Sequence, residues 1–265
     1  ASSPPLGVKL PPAAELLHLL GLDDEAEYAL RAKEKELAQA AAPRGVEALC
    51  AAYGTLDHAT RRYRIAQDQV KAETLRHEPS QATRWAWECL YPRPYADDVR
   101  RVESREGLPA GIVHAVMRQE SGFDVDVVSP ANAVGLLQLL PTTAREIAKR
   151  SDVPFEEGSL VKAPVNVDLG ARYLSLLVRM WKGSLPLAIA SYNAGPSAVS
   201  RWLEHAGDTE VDFWVARIPY GETRTYVGRV MGNFARYRYL ESGVAGVPEL
   251  ALAVDTSLRA EPGAF

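Results

Sequence analysis

One glutamate in this chain stands where a leucine would be expected. The run Ile112-Val113-His114-Ala115-Val116-Met117-Arg118-Gln119-Glu120 is apolar at helical spacing. Counting four residues at a time from Ile112 gives Val116 and then Glu120, so the three share one helix face. Gly122 follows as a helix stop. Burial disfavours the charged form of a carboxyl, and the negative end of the helix dipole disfavours it again. Both effects raise the pKa, which a general acid working near neutral pH requires. The residues alone leave a second reading open, a glutamate paired with Arg118 or another base. Asp124 and Asp126, the nearest other carboxylates, read as solvated turn residues.

Helices must position that carboxyl. Pro109 opens the helix that bears it, and Pro141 starts another. Asn166 reads as the N-cap of a long helix whose buried stripe is Leu169, Tyr173, Leu176, Leu177 and Met180. Gly195-Pro196 ends one helix and begins the next, and the last long helix runs over about 222–240. Upstream, residues 15–20 and 23–41 form a helical pair broken at Gly21. The phrase LLGLDDEAEYAL looks like half of a helical-repeat unit. Two further helical runs follow, over Val46 to Tyr53 and Leu56 to Val70. Tyr91-Pro92-Arg93-Pro94 favours extended backbone and marks a boundary near residue 95. The expected organisation is all-α: a solenoid-like segment over 1–94, a second domain over 95–242, and a tail over 243–265. The tail reads as a surface wrap or a disordered end. No strand signal is strong, although residues 133–140 suit a short hairpin.

At 265 residues and 47% hydrophobic, the chain can bury a sizeable core. Thirty basic against thirty-four acidic residues leave a formal charge of −4, unlike the basic surface of a dedicated nucleic-acid binder. No apolar run approaches the roughly 20 residues that span a bilayer. The opening ASSPPLGVKLPP lacks a charged region followed by an apolar core, so any secretion signal is expected to be absent here or already removed. No cofactor motif or metal-ligand spacing stands out. Cys50 and Cys89 permit one disulfide, but the preferred reading is two small buried hydrophobes.

The surroundings of Glu120 carry a resemblance. The segment Met117 to Asp124, MRQESGFD, resembles the catalytic motif of the soluble lytic transglycosylase family. Ser129-Pro130 leads into Ala133-Val134-Gly135-Leu136-Leu137-Gln138-Leu139-Leu140-Pro141, similar to that family's second motif. Ala190-Ser191-Tyr192-Asn193-Ala194-Gly195 is similar to the third, and Ile218 to Val227, IPYGETRTYV, to the fourth. The match covers about 91–240, and four linked motifs are far more specific than one. It implies a lysozyme-like helical domain that acts on peptidoglycan glycan strands.

By that resemblance Glu120 protonates the glycosidic oxygen between N-acetylmuramic acid and N-acetylglucosamine, then takes a proton from the sugar's own 6-hydroxyl. The product is a 1,6-anhydro end, so no second carboxylate is needed, whereas water-using glycosidases normally need two. Tyr192 is expected to hold the Glu120 carboxyl through its hydroxyl. Ser129, Gln138, Leu140, Asn193 and Glu222 are expected to contact substrate, with leucine at 137 and 140 where the family often has methionine. Each has a plainer alternative: Gln138 satisfying local backbone, Tyr192 a core residue, Glu222 a helix-end charge. Arg224 reads as a structural pair. Trp202 and Trp214 could stack on sugars, but such tryptophans are more often core. The resemblance also implies the bacterial cell envelope, the periplasm, and cell-wall enzymes as partners for the N-terminal helices. A goose-type hydrolase on the same fold, a non-catalytic glycan-binding scaffold and a helical-repeat adaptor are the rival readings.

Overall fold

The structure is a computed structural model that describes residues 6–56, 59–246 and 253–260. Fourteen α-helices account for most of the described residues. Among them there is no strand ladder; isolated antiparallel bridges join Val128 to Val134, Val134 to Leu139 and Glu210 to Ala253. The expected hairpin over 133–140 is thus a tight loop closed by a single bridge.

The chain divides into two compact units. Unit 1 lies within residues 1–96 and also takes in Gly122–Asp124; unit 2 holds the remainder. Unit 1 contains α1 (Pro12–Leu19), α2 (Asp23–Arg31), α3 (Glu34–Ala40), α4 (Gly45–Tyr53), α5 (Thr60–Gln69) and α6 (Arg84–Leu90). The single helix expected over 23–41 divides at Ala32-Lys33 without glycine or proline, a break that periodicity does not register. Ala14, Ala26, Leu30, Leu49, Ala52, Tyr53, Leu56 and Ile65 form its apolar core. Glu34 is its polar hub. It accepts two hydrogen bonds from Arg61 at 2.6 Å and one from the Tyr53 hydroxyl at 2.6 Å, and the Arg61 contact foremost holds its carboxyl below the usual range. Cys50 and Cys89 form a disulfide between α4 and α6, which corrects the reading of two unbonded thiols. Both thiols sit on buried helix faces, where size and apolarity look the same whether or not a partner lies opposite. Within this unit Phe123 meets Tyr63 edge-on at 5.3 Å, and its carbonyl accepts the Thr60 hydroxyl.

Unit 2 contains α7 (Ala96–Glu106), which it enters at Asp97, then α8 (Ile112–Glu120), α9 (Pro141–Arg150), α10 (Ala163–Met180), α11 (Leu185–Ala194), α12 (Pro196–Glu204), α13 (Val211–Ala216) and α14 (Gly221–Ser242). Helices α8 and α11 pack on α14, α10 on α11, and α11 on α12. On α10, Leu169, Tyr173, Leu174 and Leu177 are buried, whereas Leu176 and Met180 are half-buried. Trp181, fully buried, donates its indole N–H to the Ser191 hydroxyl at 2.7 Å. Of the tail, residues 253–260 lie along unit 2. Lys182 pairs with Asp255, Arg259 with Glu204, and the Ala260 N–H bonds Ser200. Residues 247–252 and 261–265 lie outside the described residues.

Candidate active site

Helix α8 is fixed at both ends. It begins three residues after Pro109, because Gly111 enters it at φ 93°, a left-handed conformation that favours glycine. A Cβ there would lie 3.2 Å from Tyr237. The buried Glu103 carboxylate accepts the Gly111 N–H at 2.9 Å and the Val113 N–H at 3.0 Å. It thereby satisfies donors that a helix start leaves unpaired.

At the other end stands Glu120, with Ile112 and Val116 of the same face fully buried. Burial pushes its carboxyl pKa up to about 7, and a hydrogen bond from the Tyr226 hydroxyl on α14 works in the lowering direction. A carboxyl so poised can give a proton near neutral pH and take one back. Tyr192 on α11 shares this environment. Burial first, and then the charge of Glu120, holds both Tyr192 and Tyr226 well above the ordinary phenol range. Tyr173 on α10 is raised to about 12 by burial, and its ring lies 5.1 Å from that of Tyr192.

The expected partner of the acid is therefore corrected. The Tyr192 hydroxyl donates to the Leu137 carbonyl at 2.7 Å, while the bond to Glu120 comes from Tyr226. A phenol has one proton to give, and the Leu137 carbonyl, turned inward by an irregular loop, takes it. Tyr226 lies in the fourth motif as read from sequence, four residues after Glu222, yet nothing in its spacing from Glu120 announces the contact.

The loop over 125–140 is held by side chains instead of a ladder. Ser129 Oγ accepts the Ala133 N–H at 3.0 Å. Gln138, at φ 44°, donates its amide to the Val127 and Gly135 carbonyls at 3.0 and 2.9 Å. That is the local role considered as its plainer alternative. Leu140, 41% exposed, caps α9. The Ser121 hydroxyl, beside Glu120, donates to the Leu136 carbonyl at 2.9 Å. The fully buried Asn166 accepts the Leu137 N–H at 2.8 Å and donates to the Val134 and Leu160 carbonyls, both at 2.9 Å. Sequence reading made Asn166 an N-cap. The helix instead starts at Ala163, and the amide turns inward, where the loop offers the Leu137 N–H and the Val134 carbonyl and the stretch before the helix offers the Leu160 carbonyl. Gly135 and Gly170 complete the fit: a Cβ on Gly135 would lie 2.5 Å from Asn166 Nδ2, and one on Gly170 2.3 Å from Leu137 Cδ1.

Asn193 accepts the Thr223 hydroxyl at 2.6 Å, joining the end of α11 to the start of α14. Glu222 is exposed in the first turn of α14, where its charge suits the helix dipole. Arg224 donates to the Ile218 carbonyl at 2.8 Å, a structural bond. Trp214 is buried, and Trp202 is half-buried against Tyr220. Among the described residues Ser129, Gln138, Asn193 and Glu222 make no hydrogen bond to Glu120. Among the described residues no group of three His, Cys, Asp or Glu side chains suits a metal, and no helix is long and apolar enough to cross a membrane.

The chain is similar in sequence and fold to known proteins. Residues 98–214 match the family described as Transglycosylase SLT domain. The soluble lytic murein transglycosylase of Escherichia coli K12 is 35% identical over 159 residues, covering 58% of this chain and 25% of that protein. The membrane-bound lytic murein transglycosylase C of Actinobacillus pleuropneumoniae serotype 5b is 32% identical over 170 residues, covering 56% and 46%. The chain thus spans about a quarter of the length of the soluble relatives it matches. Two solved structures share its fold. The 70-kDa soluble lytic transglycosylase of Escherichia coli has a TM-score of 0.61 at 25% identity, over 91% of this chain and 39% of that one. An inactive mutant of the lytic transglycosylase Slt from Pseudomonas aeruginosa has a TM-score of 0.60 at 25% identity, over 94% and 40%.

Proposed function

We propose that this chain, as the bearer of an SLT domain, cleaves the β-1,4 bond between N-acetylmuramic acid and N-acetylglucosamine in peptidoglycan without consuming water. The observation that carries this is Glu120: a single carboxyl raised to about 7 by burial, whose titration involves a tyrosine and no second carboxylate. In its protonated form it gives its proton to the glycosidic oxygen as the bond to the anomeric carbon breaks. The carboxylate left behind takes the proton of the sugar's 6-hydroxyl, whose oxygen closes on the anomeric carbon. Atoms balance, and Glu120 returns to its starting state.

Tyr226 steadies the carboxyl through both transfers, and Tyr192 acts one step removed by holding the loop that carries Gln138 and Leu140. Ser129, Gln138, Leu140, Asn193 and Glu222 line the glycan path. The free carbonyl end of the Gln138 amide suits a sugar N–H. The Cys50–Cys89 bridge supports an oxidising compartment such as the periplasm. The exposed Leu16, Leu19, Leu20 and Tyr28 of unit 1 support a face for cell-wall enzymes.

The test is digestion of purified sacculi with mass analysis of the fragments. Anhydro products, lighter by one water than hydrolysis products, are expected. Glu120→Gln should lower their rate by at least about 100-fold with the fold retained. Fragments of hydrolytic mass, or a variant within a few-fold of wild type, would overturn the reading.

A further inference from the structure

A concavity in unit 2 that Glu120 does not line lies between the C-terminal half of α12, the helix α13 and the linker into α14. Its volume is about 180 Å³. That is below the roughly 300 Å³ at which pockets for whole small ligands begin, so it suits one end group of a larger molecule. Trp202 and Trp214 line it with their indoles, Arg201 and Arg217 supply the positive charge, and His205 lies beside them. Among the described residues no acidic side chain lines it, in a protein whose formal charge is −4. Neither Arg201 nor Arg217 has an acidic partner among the described residues. Glu204, the acid nearest on α12, is already paired with Arg259 at 3.4 Å.

The pocket is also built and not merely open. Trp202 is held edge-on by Tyr220 at 5.1 Å, and the wall residue Ile218 is held through its carbonyl by Arg224. Tyr220 and Arg224 bracket Glu222 in the fourth motif, so this wall continues into the start of α14.

We propose that this pocket binds a carboxylate carried by the peptide attached to the glycan. An arginine fork matches a carboxylate in two parallel hydrogen bonds, and the indoles cover the aliphatic part of the peptide. The naming of the peptide rests on the glycan-cleaving reading above. The preference for a carboxylate joined to an apolar group rests on the pocket alone.

The experiment compares wild type with the double variant Arg201→Gln, Arg217→Gln on two glycan preparations, one retaining its peptides and one stripped of them by an amidase. KM on the peptide-bearing strands should rise about 10-fold in the variant, the loss of one charged hydrogen-bonded contact. KM on stripped strands and the melting temperature should hold. Tryptophan fluorescence titrated with N-acetylmuramyl dipeptide should saturate for wild type and weaken about 10-fold for the variant. Inorganic phosphate at equal concentration should not reproduce the change. Equal loss on both strands, an unchanged titration, or phosphate acting as well as the dipeptide would overturn the proposal. Should wild type release nothing from either strand, the catalytic reading fails by itself, while the titration still decides the pocket.

Discussion

Unit 1 and unit 2 are both helical, yet they are held by different means. Among the described residues no helix of unit 1 exceeds ten residues. Helices shorter than about 12 residues are marginal alone, and this unit adds a disulfide and the Glu34–Arg61–Tyr53 cluster to its apolar core. Unit 2 is built on helices of 18 and 22 residues. Their apolar faces carry the packing, which leaves polar side chains to brace the irregular stretch beside the acid. Cross-links thus stabilise one unit, while in the other buried hydrogen bonds shape a site.

The sharpest way to break this contrast is Asn166→Leu. It strands the Leu160 carbonyl and the Leu137 N–H in the core, at about 1–3 kcal/mol each, and leaves the Val134 carbonyl with the Leu139 N–H. A loss of about 4 kcal/mol and of sacculus clearance is expected. Urea denaturation reads the first, and a loss below about 1 kcal/mol would show that the loop holds itself. Next is Cys50→Ser with Cys89→Ser. Opening a closure of 39 residues should cost about 4 kcal/mol on chain entropy. Faster amide exchange is expected in α4 and α6, with α10 and α14 unchanged; equal change in all four would erase the contrast.

A third effect depends on pH. Glu120 keeps its proton in the folded chain up to about pH 7 but loses it near the ordinary carboxyl value when unfolded. Folded protein binds more protons in that window, so stability falls as pH rises through it, by on the order of 3 kcal/mol. Glu120→Gln should remove the fall. Its melting temperature should match wild type near pH 4 and exceed it at pH 8, and parallel curves would refute the buried acid. The smallest contrast separates two tyrosines. Tyr192→Phe should cost about 1 kcal/mol through the loop and leave the pH profile in place. Tyr226→Phe removes a bond that lowers the Glu120 pKa, so the high-pH limb of activity should move upward. Identical profiles for both would show that the acid does not distinguish them.

Much of unit 2 was legible because helical period and proline placement are local. Pro141, Pro196 and the four-residue spacing from Ile112 to Glu120 each announced a feature the structure contains. What stayed hidden depends on partners far along the chain. Tyr192 and Tyr226 are equally plausible companions for a carboxyl until the fold directs one hydroxyl to Leu137. Asn166 looks like a cap from its neighbours, and only the loop residue 29 positions earlier makes it a brace. The disulfide escaped for the same reason, since two cysteines on separate helices reveal no distance.

The fit of Leu137 into the space left by Gly170, with Asn166 pinning the backbone between, has a consequence for anyone redesigning this groove. Residues 134–140 and 160–170 behave as the two halves of one casting. Swapping only the loop from a relative would set a foreign shape against an unaltered socket, and the misfit would reach the acid through Ser121. A graft that carries both stretches together transplants the mould along with the part.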